Sequence, residues 1–208
     1  MPLRRPSHSP VQDVLRTSSP GYSLVELMAF MAVMVTVAAF IMPFTRSSIN
    51  AMNLTSDARN VMSSVSLAKM RAAAGFTKAR IYVVLGTNTF YVERWRKNPA
   101  GWVTEGVVKQ LSSNVSFGFS GLTTPPPNTQ PVIGQAATCL NNAGVAIAGT
   151  ACIVFNSRGV PIDNTNAPTP AGAYYLGDGA TIFGITTTTG GMVQLWRSNL
   201  TSGSWALN

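Results

Sequence analysis

The chain reads as an α+β protein, with a long N-terminal helix packed on a C-terminal antiparallel β-sheet domain. Three observations predict it. An apolar run over residues 27–42 has Thr36 as its single polar member. An amphipathic stretch follows, in which Leu54, Ala58, Val61, Val65, Ala68 and Ala72 recur at spacings of 4, 3, 4, 3 and 4. From Ala79 onward the apolar period changes to two, the repeat of a strand.

With Leu24, Val25 and Phe44, the apolar run spans about 20 residues, enough for one bilayer crossing at ~1.5 Å per residue. Residues 22–44 are therefore expected to be a transmembrane helix. The cationic stretch before it and the long domain after it predict a cytoplasmic N-terminus and an exported C-terminus. A cleaved signal peptide is the alternative, but no small-x-small site follows the run, which ends in IMPFTRSS. Residues 45–75 continue as an amphipathic helix with one apolar stripe and end near Gly75. The whole helix is expected from about Tyr22 to Ala74, broken or bent at Pro43, whose nitrogen cannot donate a backbone hydrogen bond.

Residues 76–208 are expected to form a β-rich globular domain. ARIYVVLG, TFYVERW, WVTEGVVKQL and NVSFGFS read as strands joined by short turns, GTN and KNPAG among them. A proline- and glycine-marked insertion over residues 121–151 follows. CIVFNSRG, AYYLG, ATIFGITTT and MVQLWRS then resume the strand pattern. The helical stripe has the inner face of this sheet as its target.

Charged residues make up only 11% of the chain, with a formal net charge of +8. Arg4, Arg5 and Arg16 against Asp13 place +2 of this ahead of Gly21, leaving +6 for the rest. The single histidine, His8, lies in the N-terminal stretch, and the acids Asp57, Glu93, Glu105, Asp163 and Asp178 are scattered. No Ser/His/Asp set, HExxH, P-loop or GxGxxG occurs. The chain is therefore not expected to be an enzyme or to hold a cofactor or metal. Cys139 and Cys152, with 12 residues between them, read as one disulfide in an oxidising compartment, two buried free thiols being the alternative.

The stretch GYSLVEL resembles the N-terminal signal of type IV pilins and type II secretion pseudopilins. Their pattern is a glycine, a cleavage point, an aromatic residue, then a glutamate fifth in the mature chain. The resemblance implies a leader peptide over residues 1–21, prepilin peptidase cleavage between Gly21 and Tyr22, and N-methylation of Tyr22. Tyr22 departs mildly from the commoner phenylalanine. The resemblance also implies that Glu26 serves filament assembly by meeting the N-terminal amine of the next subunit, and that Pro43 marks a helix kink. Charge in lipid is costly, on the order of 2.5–3.5 kcal/mol for a mid-depth aspartate, so such an acid is usually kept for a partner. Its own helix dipole, worth ~0.3–1 kcal/mol, is the plainer explanation for Glu26. Further on, CIVFNSRGVP and TTTTGGMVQLWRSN resemble the GspH/FimT-type minor pseudopilins, with Phe155 and Gly159 in the first element and Gly190 and Gly191 in the second. The terminal glycine-arginine-x-lysine motif of that family's DNA-binding members is missing here.

What the resemblance implies is a pilin-like fold and a minor pilin or pseudopilin, incorporated at or near the tip of a type II secretion pseudopilus or a type IV pilus. Its partners would be other pilins or pseudopilins, the prepilin peptidase/methyltransferase and the inner membrane, with DNA or secreted cargo as further partners. It would be a single-pass inner-membrane protein with a periplasmic domain. The alternative is a DNA-binding minor pilin for DNA uptake. Its candidate site is the YVERWRKNPAGW hairpin, where Arg94, Arg96 and Lys97 stand beside Trp95 and Trp102, extended by Lys78 and Arg80 from the preceding strand. A hairpin with Trp95 in the core and the arginines in solvent is the plain reading of the same residues.

Overall fold

Ser23 and Glu26 stand in the S-x-x-E spacing of a helix N-terminal cap, and the helix begins there. The Glu26 N–H donates to Ser23 Oγ at 3.2 Å, and the Leu27 N–H donates to the Ser23 carbonyl at 3.1 Å. The computed structural model describes residues 21–208, and of residues 42–44 and 46 the backbone alone. The expected leader, apart from Gly21, lies outside the described residues, as does His8. The chain divides into two units, residues 1–44 and 45–208.

Helix α1 (Leu24–Ala74) is assigned as helix without interruption through position 43, so the proline brings no break in the assignment. Thr36, alone among apolar neighbours, satisfies its hydroxyl internally, donating to the carbonyls of Val33 at 2.8 Å and Ala32 at 3.1 Å. At the C-terminus the Thr77 N–H reaches the Ala72 carbonyl and the Phe76 N–H that of Ala73, the paired bonds of a Schellman turn. Its left-handed residue is Phe76, at φ +47°, rather than the neighbouring Gly75.

Ten strands follow: β1 (Ala79–Val84), β2 (Thr89–Lys97), β3 (Ala100–Gln110), β4 (Ser116–Phe117), β5 (Thr150–Phe155), β6 (Pro161–Ile162), β7 (Ala173–Gly177), β8 (Thr181–Thr187), β9 (Val193–Asn199) and β10 (Trp205–Leu207). They form two antiparallel sheets, β3-β2-β1-β5-β6 and β10-β9-β8-β7-β4. The α+β class is as expected, but the strands divide between two sheets where one was expected. After the insertion, β5 returns to pair with β1 in register Ile81↔Ile153, whereas β7 pairs forward with β8. NVSFGFS contributes only the two residues of β4, and β6 and β10 are too short to carry a readable period.

Leu54, Ala58, Val61, Val65, Ala68 and Ala72 are all 1% exposed or less. They share one core with Ile81 and Val83 of β1, Ile153 and Phe155 of β5, and Leu176, Phe183 and Ile185 of the second sheet. Each buried valine contributes about 1.5–3 kcal/mol by removal from water.

The 121–151 insertion covers the opposite faces. Tyr175 turns away from its neighbour Tyr174 and packs with Leu122, Ile133 and Ile182. Tyr82 packs with Cys139 and Cys152. Both faces of β1 and β7 are therefore covered, which is why AYYL and, Arg80 apart, ARIYVV hold only aliphatic and aromatic residues. The Gln135 side chain acts as a strand substitute, donating to the Tyr175 carbonyl at 2.8 Å and accepting from its N–H at 3.0 Å. Gln130 accepts from the Tyr175 hydroxyl at 2.9 Å and donates to the Ala171 carbonyl at 2.8 Å.

Tyr174 joins the two sheets. Its fully buried hydroxyl donates to the Ile81 carbonyl at 2.9 Å and accepts the Ile153 N–H at 2.8 Å. Tyr174→Phe keeps the ring but removes two buried hydrogen bonds, one from each of those backbone groups. We expect a loss of about 1–3 kcal/mol, measured by chemical denaturation. Burial also pushes the Tyr174 and Tyr175 hydroxyls well above the ordinary tyrosine pKa. Above pH ~10 the unfolded chain releases protons that the folded chain keeps, so stability falls as pH rises. Tyrosinate absorbance from these two residues should appear only together with unfolding. Their ionisation in a domain that stays folded would contradict the assignment.

Candidate functional site

The first candidate site is the start of α1. A Cβ at Gly21 would meet nothing within 4 Å, so local packing gives no reason for a glycine there. Tyr22 is 84% exposed. The segment Leu24–Ile41 has a mean hydropathy of 2.4, and none of it is buried. By length and composition it is able to cross a membrane, and Glu26 is its one charge. The Glu26 backbone is used by the Ser23 cap, while its carboxylate has no ion-pair partner among the described residues. The serine cap escaped the sequence reading, although its spacing to Glu26 was there to be seen.

The second candidate is the basic hairpin of β2 and β3. The structure separates its cations into two classes. Arg80 is 3% exposed; its Nε lies 2.6 Å from Glu93 Oε2, its Nη1 donates to the Leu140 carbonyl at 2.6 Å, and its guanidinium lies 3.9 Å from the centre of the Trp102 ring. Arg94 pairs with Glu105 at 2.6 Å, and the same carboxylate meets Arg71 of α1 at 3.5 Å. Arg96, Lys97 and Lys78 are exposed, Lys78 donating to Asn166 Oδ1 at 2.6 Å. Trp95 and Trp102 meet edge to face at 5.3 Å and are half-buried. The continuous cationic strip expected from the sequence is thus reduced to its exposed members, because cross-strand carboxylates neutralise Arg80 and Arg94. Trp95 belongs to neither the helix-facing core nor the solvent; it shares a face with Glu93, opposite Arg80 in register.

The cysteines form a disulfide, Cys139–Cys152, with Cα atoms 5.0 Å apart. It fastens the insertion to β5 beneath Tyr82. Among the described residues, no three His, Cys, Asp or Glu side chains are grouped as metal ligands.

The glycines of the C-terminal elements meet in space. Gly159 and Gly191 both have left-handed backbones, at φ +74° and +78°. A Cβ on Gly191 would fall on the carbonyl oxygen of Gly159. A Cβ on Gly159 would press on Lys69 Cε at 3.0 Å, and Lys69 in turn donates to the Gly191 carbonyl at 2.9 Å. Phe155 is fully buried in the core. Gly190 has open space around it, its Cβ position lying 3.9 Å from Thr188 Oγ1.

No protein-family model and no curated protein matches the chain. Among solved structures, the chain is similar to the minor pseudopilin EpsH from the type II secretion system of Vibrio cholerae. One structure of it matches with a TM-score of 0.43 and 9% identity, over 69% of this chain and 94% of that one. A second matches with a TM-score of 0.38 and 10% identity, over 74% and 92%.

The two neighbouring glycines give a paired prediction. Gly191→Ala combines left-handed strain with overpacking against backbone and should cost about 1–3 kcal/mol. Gly190→Ala should stay within about 0.5 kcal/mol of the parent. Denaturation midpoints of the two variants check this, and equal losses would show that the turn contact is not what requires the glycine.

Proposed function

We propose that the chain is a minor pilin or pseudopilin, a membrane-anchored subunit of a type II secretion pseudopilus or type IV pilus rather than an enzyme. In this reading residues 1–21 are a leader removed by a prepilin peptidase, and Tyr22 becomes a methylated N-terminus. Residues 22–44 cross the inner membrane, bent at Pro43, while 45–75 carry the helix into a periplasmic domain over 76–208. The subunit enters the filament at or near its tip, where it supports assembly and protein secretion.

The observation that carries the proposal is the state of Glu26. It is the one charge in an exposed apolar helix, five residues after a glycine that packing does not require, and its carboxylate is unpaired among the described residues. An acid placed this way is best explained by a cation that arrives with a partner. The N-terminal amine of a neighbouring subunit, released by cleavage after Gly21, has that charge and that depth. DNA capture is the weaker reading, since Arg80 and Arg94 are already paired with carboxylates.

Glu26→Ala should insert into the membrane as well as the parent, because removing an acid lowers the cost of insertion. Its recovery in sheared filaments should nevertheless fall by about tenfold or more, equivalent to ~1.4 kcal/mol of lost pairing. Unchanged recovery would leave Glu26 with no role beyond its own helix.

A further inference from the structure

The face of the first sheet that turns away from α1 holds a cleft of about 300 Å³. The roles given above to α1 and its N-terminus leave it unused. Its walls come from β1–β3, from the insertion around the disulfide, and from the turn after β6. A volume of this size lies at the lower end of sites for small ligands, roughly 300–1,000 Å³.

Three features define what it would take. Trp95 and Trp102 line it and remain half-buried. Trp102 is held in place by the Arg80 guanidinium at 3.9 Å, itself locked between Glu93 and the Leu140 carbonyl. A rigid indole surface at a concave wall suits the apolar face of a ring. The rim is amide-rich, with Asn141, Asn142, Asn164 and Asn166. A purely apolar ligand would strip water from these groups without replacing its hydrogen bonds, which is costly. Charge is the third feature. Lys78 and Arg80 are balanced by Asp163 and by Glu93 behind Arg80, so there is no surplus of cations to hold a polyanion. Asp163, kept below the usual carboxylate range chiefly by the Thr165 hydroxyl, stays ionised as an acceptor for ligand hydroxyls.

We propose that this cleft binds a neutral saccharide, a ring face resting on the tryptophan pair and the hydroxyls meeting the asparagine rim. The test is saturation-transfer NMR on the full chain in a detergent without a sugar headgroup, with maltose, cellobiose and N,N′-diacetylchitobiose as probes. Transfer to the ring protons of at least one disaccharide is expected. Trp102→Ala should abolish it. Because that change also uncovers Arg80, Asn164→Ala serves as the second variant: the Asn164 side chain is exposed and makes no hydrogen bond among the described residues. It should weaken binding about two- to tenfold, as the loss of one hydrogen bond does, at an unchanged denaturation midpoint. Absence of transfer from all three sugars at about 50 mM, beyond the millimolar range of weak specific binding, overturns the proposal. So does binding that survives Trp102→Ala.

Discussion

The folded domain depends on one stripe of side chains. Between Leu54 and Ala72, α1 presents six apolar residues that are closed to solvent, and the inner faces of both sheets are completed against them. Leu111, Val115 and Ala136 of the connecting segments close the rest of that core. The stripe is made of three alanines, two valines and a leucine, and Tyr174 reaches across from β7 to bond the backbone of β1 and β5. A buried hydroxyl that supplies one donor and one acceptor where backbone groups need them fixes the relation of the sheets more narrowly than apolar contact does. Further ties bring the helix to the loops. Asp57 accepts the Ser112 N–H at 2.8 Å, and Lys69 holds the two glycine turns.

The same helix has a different surface over Leu24–Ile41, apolar and wholly exposed. No surface of that composition is stable facing water over 18 residues, because its burial elsewhere is strongly favoured. In the proposed assembly, lipid or the helices of like subunits answer that demand, and an acid at the edge of the stretch then becomes a specificity element. This is the physical link between a residue at the start of α1 and the assembly proposed for the chain.

Much of this was legible in the sequence, for reasons that can be named. The six stripe residues follow from helical spacing alone, and the structure buries each one. Strands β1, β2, β3, β5, β7, β8 and β9 coincide with β-branched and aromatic runs bounded by turn residues. The two-sheet arrangement was not legible, because the choice of β1 as the partner of β5 is made across an insertion and leaves no local trace. The pairing of Arg80 with Glu93 was within reach: counting back from the turn that joins Val84 to Thr89 sets them opposite one another. The Glu105 link to Arg94 was less direct: counting back from the turn that joins Lys97 to Ala100 sets Arg94 opposite Val103, and Glu105 lies diagonally beyond it, opposite Val92. Phe76 shows the limit of residue preference. Gly75 is the usual bearer of a left-handed turn, yet the conformation falls one residue later, where the Schellman bonds place it. The side chain of Phe76 is left 78% exposed there.

The account stands or falls on how the chain begins after export. The most direct measurement is the intact mass of the protein extracted from membranes of cells with a working prepilin peptidase. The account predicts a chain starting at Tyr22 and carrying one methyl group on its amine, so that a new positive charge stands beside Glu26. A mass that retains Met1 and the residues before Tyr22 would contradict it.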